Sequence, residues 1–231
     1  MSTTRALHDA VTNVLDFLMV AELATYATQV SLVELGEERT RVSFHSHTAA
    51  PFLVTTGHPT VDQFIAWAET GAYSAMLFDG SLLQLTFDLK SDHVVGHRLA
   101  YAPCPFDIDE QLLTDGEPLV DVIEAYRDGD ALLRTPVRFD FDQNNASEHH
   151  PASHMTFNGM DCRIACAAPM HPLRFVDFIF RHFYKSYWDA HAAFFGAAGW
   201  RHLGSSTLTD PERAAVHITW DIHAKESTLA G

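Results

Sequence analysis

The chain has 231 residues, of which 47% are hydrophobic and 11% aromatic, a composition that supports a folded core and excludes an intrinsically disordered protein. Its 30 acidic residues against 15 Lys and Arg give a formal net charge of −15 at pH 7. A field of that sign repels phosphate backbones at long range, which excludes a non-specific nucleic-acid binder but leaves room for a substrate held at a local basic site. The three Cys residues, an odd number, indicate no disulfide framework.

The N-terminal segment predicts a helix over residues 5–27, because apolar residues recur there at helical spacing. Asp9, Asn13 and Asp16 interrupt this segment, so it lacks the unbroken apolar stretch of a secretory signal peptide. No stretch of the sequence is long and apolar enough to span a bilayer. We therefore expect a cytoplasmic protein that does not associate with membranes.

Short elements are predicted next along the chain. Residues 29–35 and 40–46 alternate like strands, which predicts a hairpin. Thr60 and Gln63 form a capping-box pattern, which opens a short helix that Gly71 is expected to end.

Two long strands are predicted in the middle of the chain. Asp79-Gly80 separates two apolar runs, as in a tight hairpin turn, and the apolar residues at alternate positions over 83–89 predict a strand with one buried face. A further strand covers residues 94–103. The acidic stretch 106–130 is broken by Gly and Pro, and only a short helix near 119–127 is expected in it.

Three more strands, around residues 137–142, 154–157 and 162–166, each alternate apolar with polar side chains. Pro172 then opens a predicted helix of about two dozen residues, and residues 212–222 predict a last strand. We therefore expect a single α+β domain over residues 1–231. Its mostly antiparallel twisted sheet would pack against the N-terminal helix and a long apolar helix near residues 172–195.

The polar side chains of these three strands predict the functional site. If the apolar residues face the core, the alternate polar residues share the opposite face, provided that the strands are neighbours. A His with a carboxylate partner performs acid–base chemistry, and Arg binds phosphate oxygens. The predicted catalytic residues are His150, His154, Asp140, Arg138 and Arg163, with His149, Asp142, His97 and Arg98 as a second tier.

Other interpretations of these residues stay open. Any half-exposed sheet shows alternating charge on its outer face, and a His-rich loop is often simply solvated. A metal site is a further alternative, with His149, His150 and His154 as ligands and Asp140 or Asp142 as an oxygen donor, although extended spacing separates His150 from His154 by about 13 Å. There is no Gly-rich phosphate loop, so no nucleotide cofactor is predicted.

Several segments together resemble the DUF2290 family of bacterial proteins. They are YSAMLFDGSLLQLTFDL, HRLAYAPCPF, HPASH, and CRI followed by PLRFVDFIFRHFY, and the resemblance runs from about residue 5 to 190. The family pattern HPxSHxH is matched at His154, but Thr156 stands where its last His would be. A shorter stretch, RFDFD…HHPASH, resembles TumE-type toxins of toxin–antitoxin systems, which implies an RNA-directed activity.

Three hypotheses follow. The first is a His-dependent, metal-independent enzyme acting on a phosphodiester, RNA above all, in bacterial antiphage defence or as a toxin, with Arg138 and Arg163 holding phosphate. The second is a non-enzymatic module that binds nucleic acid or a protein encoded by a neighbouring gene, through an exposed stripe of Arg174, Arg181 and Lys185 on the long helix. The third is a metal-dependent hydrolase.

Overall fold

The protein is described by a computed structural model that covers residues 2–44, 59–147, 150–157, 162–197 and 203–213. Within these ranges its helices are α1 (Thr3–Val20), α2 (Val61–Glu69), α3 (Glu110–Thr114), α4 (Leu119–Ala125), α5 (Pro172–Phe183), α6 (Lys185–Ala190), α7 (Ala192–Gly196) and α8 (Asp210–Arg213). Its strands are β1 (Ala24–Ala27), β2 (Ser31–Gly36), β3 (Arg39–Ser43), β4 (Ala75–Leu77), β5 (Leu82–Lys90), β6 (His93–Ala102), β7 (Val137–Asp142), β8 (Ser153–Phe157) and β9 (Arg163–Ala165).

These nine strands form one antiparallel sheet, which confirms the α+β class with a mostly antiparallel sheet. The order is β1-β4-β5-β6-β7-β8-β9, and β3 pairs with the far half of β5 and carries β2 on its other side. The turn at Asp79-Gly80 and the hairpin of β2 with β3 lie where they were predicted, as does the capping box at Thr60. No helix among the described residues is both long and apolar enough to cross a membrane.

Helix α1 ends at Val20, seven residues before its predicted end. The backbone of Glu22 turns to φ +56°, and the amides of Glu22 and Leu23 donate back to the carbonyls of Met19 and Leu18. This is a Schellman ending built on Glu instead of the usual Gly, so the sequence carries no stop signal there. The chain then continues directly into edge strand β1.

One face of the sheet is fully covered by α1 and α5. The predicted buried positions of β5 lie in this core, where Phe87 packs near Phe175, Ile179 and Phe180 in one cluster of buried side chains. The alternation of apolar residues along β5 is therefore confirmed, and it fixes which side chains must emerge on the opposite face.

The other face of the sheet is divided into two halves. At one end, Leu82 and Ala100 pack under α2, α3 and α4, together with Phe64 and Ile123, in a second apolar cluster. The helix predicted near 119–127 is α4 of this layer. Beyond Ala100 the same strands carry polar side chains that no helix covers among the described residues, and the candidate site lies there.

The predicted long helix over 172–195 is wrong, because three short helices take its place. Tyr184, at φ −134° and ψ 54°, interrupts the helix after Phe183. Its hydroxyl donates to Oδ2 of Asp79 at 2.8 Å and lies 2.9 Å from the hydroxyl of Tyr101. These tertiary hydrogen bonds place Tyr184 where a continuous helix would not, and the preceding Phe183 is 44% exposed.

The Arg side chains of the predicted exposed stripe form ion pairs with Asp177 of the same helix. Asp177 is only 2% exposed, and it accepts hydrogen bonds from Arg181 at 2.9 Å and from the indole of Trp188 at 2.8 Å, with Arg174 at 3.5 Å. Of the last predicted strand, 212–222, the first two residues belong to α8 and the others lie outside the described residues.

Candidate functional site

Cross-strand register brings the polar residues of five strands into three rows. Strand β7 lies between β6 and β8, as the site prediction required. Directly opposite residues on β5 to β9 form these rows. The first row is Gln84, Ala100, Arg138, Thr156 and Arg163, and the second row is Thr86, Arg98, Asp140, His154 and Ala165. The third row is Asp88, Gly96 and Asp142, and Arg41 of β3 extends this third row beyond Asp88.

Above these rows lies a cavity of about 340 Å³, which we call the polar basin. Its charged walls are four Arg and three Asp side chains, Arg39, Arg41, Arg98, Arg138, Asp88, Asp140 and Asp142. The basin therefore concentrates positive charge on a chain whose net charge is −15. Low-dielectric walls around such a cluster focus its field on an entering anion.

Asp140 is held by two guanidinium groups. Arg98 donates from Nε to Oδ1 at 3.2 Å, and Arg138 donates from Nε to Oδ2 at 2.5 Å. The three residues, which we call the Asp140 triplet, carry a net charge of +1. The charge-assisted hydrogen bonds fix the orientation of both guanidinium groups toward the basin.

His154 lies beside this triplet, and one of its ring nitrogens already makes a hydrogen bond to the backbone. Its Nδ1 lies 2.8 Å from the carbonyl oxygen of Pro151, which only accepts, so Nδ1 carries the proton. In the neutral ring Nε2 is then an unprotonated acceptor, 3.6 Å from Oδ2 of Asp140. Burial lowers the pKa of His154, and the attraction of Asp140 offsets this only in part. A neutral ring with a free Nε2 is the form required of a general base.

His150 places a second imidazole at this point. Its ring centroid lies 4.7 Å from that of His154, with the planes at 75°. A bridge between Ser147 and His150 holds the loop that presents it. The neighbouring prediction, His149, lies outside the described residues.

Asp88 forms a second triplet at the other side of the basin. Arg41 binds it through both Nε, at 2.6 Å, and Nη2, at 2.9 Å, and Arg39 lies 3.8 Å away. The hydrogen bond to Asp88 raises the pKa of Arg41. This Asp88 triplet also carries a net charge of +1.

Arg98 is the central residue of the basin, although the sequence placed it in the second tier. It lies in the row of Asp140 and His154, and its same-face neighbours on β6 are the small residues Gly96 and Ala100. A side chain at Gly96 would bring its Cβ to 3.3 Å from the carbonyl oxygen of Phe141. The position of Gly96 therefore tolerates no side chain without a shift of the neighbouring backbone.

Two predicted residues do not present their side chains to the basin, although His97 borders it. His97 lies on the core face, where its ring packs against Phe87 and Phe141 and its Nε2 accepts from the amide of Met170 at 2.9 Å. Burial lowers its pKa to about 4. Of the two predicted second-tier neighbours on β6, Arg98 therefore faces the basin and the His97 ring faces the core, because neighbours on one strand point to opposite faces. Arg163 is on the correct face but at the far end of the first row, outside the basin.

Asp142 lies at the rim, where it accepts from the amide of Asn144 at 2.9 Å and from the side chain of Asn145. It shapes the loop after β7 and makes no contact with His154 among those recorded for the described residues. Its position agrees with a structural role for a residue predicted as second tier.

Sequence reasoning missed the contribution of β3 and β5. Arg39 and Arg41 alternate on β3, and Gln84, Thr86 and Asp88 alternate on β5. The alternation itself was visible, but nothing in the sequence indicated that β3 would pair with β5. Gln84 is 1% exposed and its Oε1 has no hydrogen-bond partner among the described residues.

No three His, Cys, Asp or Glu side chains in the described part of the chain are grouped as metal ligands. Cys104 and Cys166 do not line the basin, and burial raises the pKa of each thiol to about 12. The chemistry available in the basin is therefore that of Arg, Asp and His side chains.

Comparison with known proteins gives a family but no relative of known activity. No curated protein and no solved structure matches the chain. A family model described as an uncharacterised conserved protein, DUF2290, matches residues 24–220. This range covers most of the sheet and every basin residue, and it agrees with the resemblance noted in the sequence. The chain belongs to the DUF2290 family.

Proposed function

We propose that the polar basin binds the sugar-phosphate backbone of an RNA strand and that His154 acts there as an acid–base catalyst. The observation that carries this proposal is the Asp140 triplet, in which two Arg side chains and the free Nε2 of His154 converge on one carboxylate. A phosphodiester bound by Arg98 and Arg138 would lie beside the imidazole.

Electrostatics favour an anion of low charge. Each triplet has one positive charge in excess, which matches the single negative charge of a phosphodiester. The guanidinium groups also stabilise charge that develops on the phosphate oxygens during reaction, and such fixed donors are the largest contribution in many enzymes. The overall negative charge of the chain keeps other surfaces from competing for the strand.

The chemistry uses the substrate's own hydroxyl. Nε2 of His154 takes the proton of a ribose 2′-hydroxyl, and the oxygen bonds to the adjacent phosphorus while the bond from phosphorus to the 5′ oxygen breaks. His150, whose ring lies 4.7 Å from that of His154, is the group placed to supply the proton that the leaving oxygen needs. The products are a 2′,3′-cyclic phosphate end and a 5′-hydroxyl end, and each well-placed proton transfer contributes about 10²- to 10⁴-fold in rate.

Incubation of a labelled single-stranded RNA with the purified protein tests the proposal. Wild-type protein should produce fragments with cyclic phosphate ends, and His154→Gln should reduce the rate by about 100-fold or more. His93→Gln, at an exposed position of β6, is the matched control and should cleave like wild type. Equal cleavage by folded His154→Gln would eliminate the mechanism.

Binding without cleavage is the second candidate function. The side chain of His154 is only 2% exposed, so a strand that lies on the Arg side chains need not reach it. In that case wild-type protein binds RNA, Arg98→Gln weakens binding, and the RNA stays intact. A role in antiphage defence or as a toxin stays a prediction, since it depends on the resemblance of residues 138–154 to TumE-type toxins.

A further inference from the structure

We propose that the Asp88 triplet is a second phosphate subsite, so that the ligand of the basin is a strand of several nucleotides and not a mononucleotide. This inference depends on the proposed function, because it extends the same basin. The Asp140 triplet would hold the phosphate beside His154, and the Asp88 triplet would hold a phosphate further along the strand.

The two triplets have the same composition. In each, one Asp receives hydrogen bonds or close contacts from two Arg side chains, and in each the sum of charges is +1. Asp88 and Asp140 satisfy only part of the donor capacity of these Arg side chains, because a guanidinium has five N–H groups. Arg39 and Arg41 line the same cavity as Arg98 and Arg138.

Sheet geometry sets the distance between the triplets. Asp88 is on β5 and Asp140 on β7, two strands away and one row along, because Asp88 pairs with Gly96 and Asp140 pairs with Arg98. Strand spacing and rise place their backbones about 12 Å apart. A stacked strand has one phosphate per about 3.4 Å of its axis, so a strand of about four nucleotides or more contacts both triplets.

Small or tethered side chains form the floor between the two triplets. Gly96 separates Asp88 from Asp142 in the third row, and the hydroxyl of Thr86, which lies opposite Arg98, is 3.4 Å from the hydroxyl of Ser43. Arg98, which lies between the triplets, is hydrogen-bonded to Asp140. A stacked single strand would therefore pass from one triplet to the other across β6.

The test compares a ligand with one phosphate and a ligand with several. Fluorescence anisotropy with a labelled RNA of about eight nucleotides measures affinity against salt concentration, and calorimetry with a dinucleoside monophosphate measures occupancy of one subsite. The variant is Arg41→Gln. The double variant Arg41→Gln with Asp88→Asn also removes the carboxylate, so that Asp88 is not left with Arg39, 3.8 Å away, in place of its two hydrogen bonds from Arg41.

For the longer RNA, Arg41→Gln should lower affinity about 5- to 10-fold at low salt and reduce the slope of log affinity against log salt by about 1. Affinity for the dinucleoside monophosphate should not change. Arg127→Gln, in the turn after α4 and away from the basin, is the matched control and should not alter the affinity for either ligand. The double variant should reproduce the loss for the longer RNA.

Two results would overturn the inference. One is an unchanged salt slope in folded Arg41→Gln, and the other is an equal loss for both ligands, which would make Arg41 merely structural. If wild-type protein binds both ligands and Arg98→Gln abolishes binding, the proposed function survives either result. If wild-type protein binds neither ligand, the proposed function and this inference fail together.

Discussion

Nε2 of His154 lies 3.6 Å from Oδ2 of Asp140, on the opposite side of the ring from the Nδ1 atom that faces the carbonyl of Pro151. The two contacts have different effects on the ring. The carbonyl fixes the tautomer, and the carboxylate attracts a proton to the free nitrogen. Burial has the larger effect, so the pKa of His154 lies below its usual value of 6.5.

The first prediction concerns the pH dependence of RNA cleavage. A general base must be unprotonated, so kcat/KM should fall as pH falls through the pKa of His154, at a pH below 6.5. In Asp140→Asn this acidic limb should move to still lower pH, because the attraction that raises the pKa is removed. A pH–rate profile measures the shift, and a limb that moves to higher pH would contradict the assignment.

The second prediction concerns His97 and the stability of the fold. Its pKa is about 4 in the folded protein against 6.5 in the unfolded chain, so the unfolded state binds more protons between these values. Its contribution to stability is complete above pH 6.5 and is lost as pH falls toward 4, by about 2 kcal/mol at pH 5. Urea unfolding of wild type and His97→Gln measures this difference.

The Gln variant keeps an acceptor for the amide of Met170 but does not titrate. Its free energy of unfolding should therefore depend less on pH than that of wild type between pH 7 and 5. Parallel curves for the two proteins over this range would show that His97 does not carry the effect.

The third prediction concerns the break between α5 and α6. Tyr184→Phe removes the hydroxyl that donates to Asp79 and pairs with Tyr101. The partly buried carboxylate of Asp79 is then left with one hydrogen-bond donor fewer. We expect the free energy of unfolding to fall by about 1–3 kcal/mol. Tyr187→Phe, which alters the half-exposed Tyr of α6, is the control, and an equal loss in both variants would refute the role of the buried hydroxyl.

The fourth prediction concerns Asp177, which anchors α6 to α5 through Trp188. Asp177→Ala leaves the indole N–H and the guanidinium of Arg181 without this acceptor, so we expect a loss of about 2–3 kcal/mol in urea unfolding. Asp189→Ala removes an exposed partner of Lys185 and should cost less than about 1 kcal/mol. A loss of similar size in the two variants would mean that burial of Asp177 is not decisive.

The sequence predicted the part of the site that depends on strand periodicity. Arg138, Asp140 and His154 share a face because β7 and β8 are consecutive and paired, and consecutive strands usually are. The contribution of Arg41 was not predictable, because β3 pairs with β5 across an intervening helix and strand. Local patterns carry no information about such a distant pairing.

The error in the predicted C-terminal helix also comes from contacts between residues that are far apart in the sequence. Residues 172–195 have continuous helical periodicity, and only the hydrogen bonds of Tyr184 to residues about 80 and 105 positions earlier reveal the interruption. The orientation of the His97 side chain was not predictable for a local reason. His97 precedes Arg98, and alternation requires that one of the two faces the core, but it does not say which.

Strands β5 and β6 each run beneath the helical layer at one end and form the floor of the basin at the other. Leu82 and Ala100 lie in the half that is packed under the helices, and Asp88 and Gly96 lie in the half that lines the basin. Saturation mutagenesis of the positions of these two strands that share this face should therefore sort into two phenotypes along their length. Replacements at Leu82 and Ala100 should lower the yield of folded protein, whereas replacements at Asp88 should leave the yield intact and change ligand affinity.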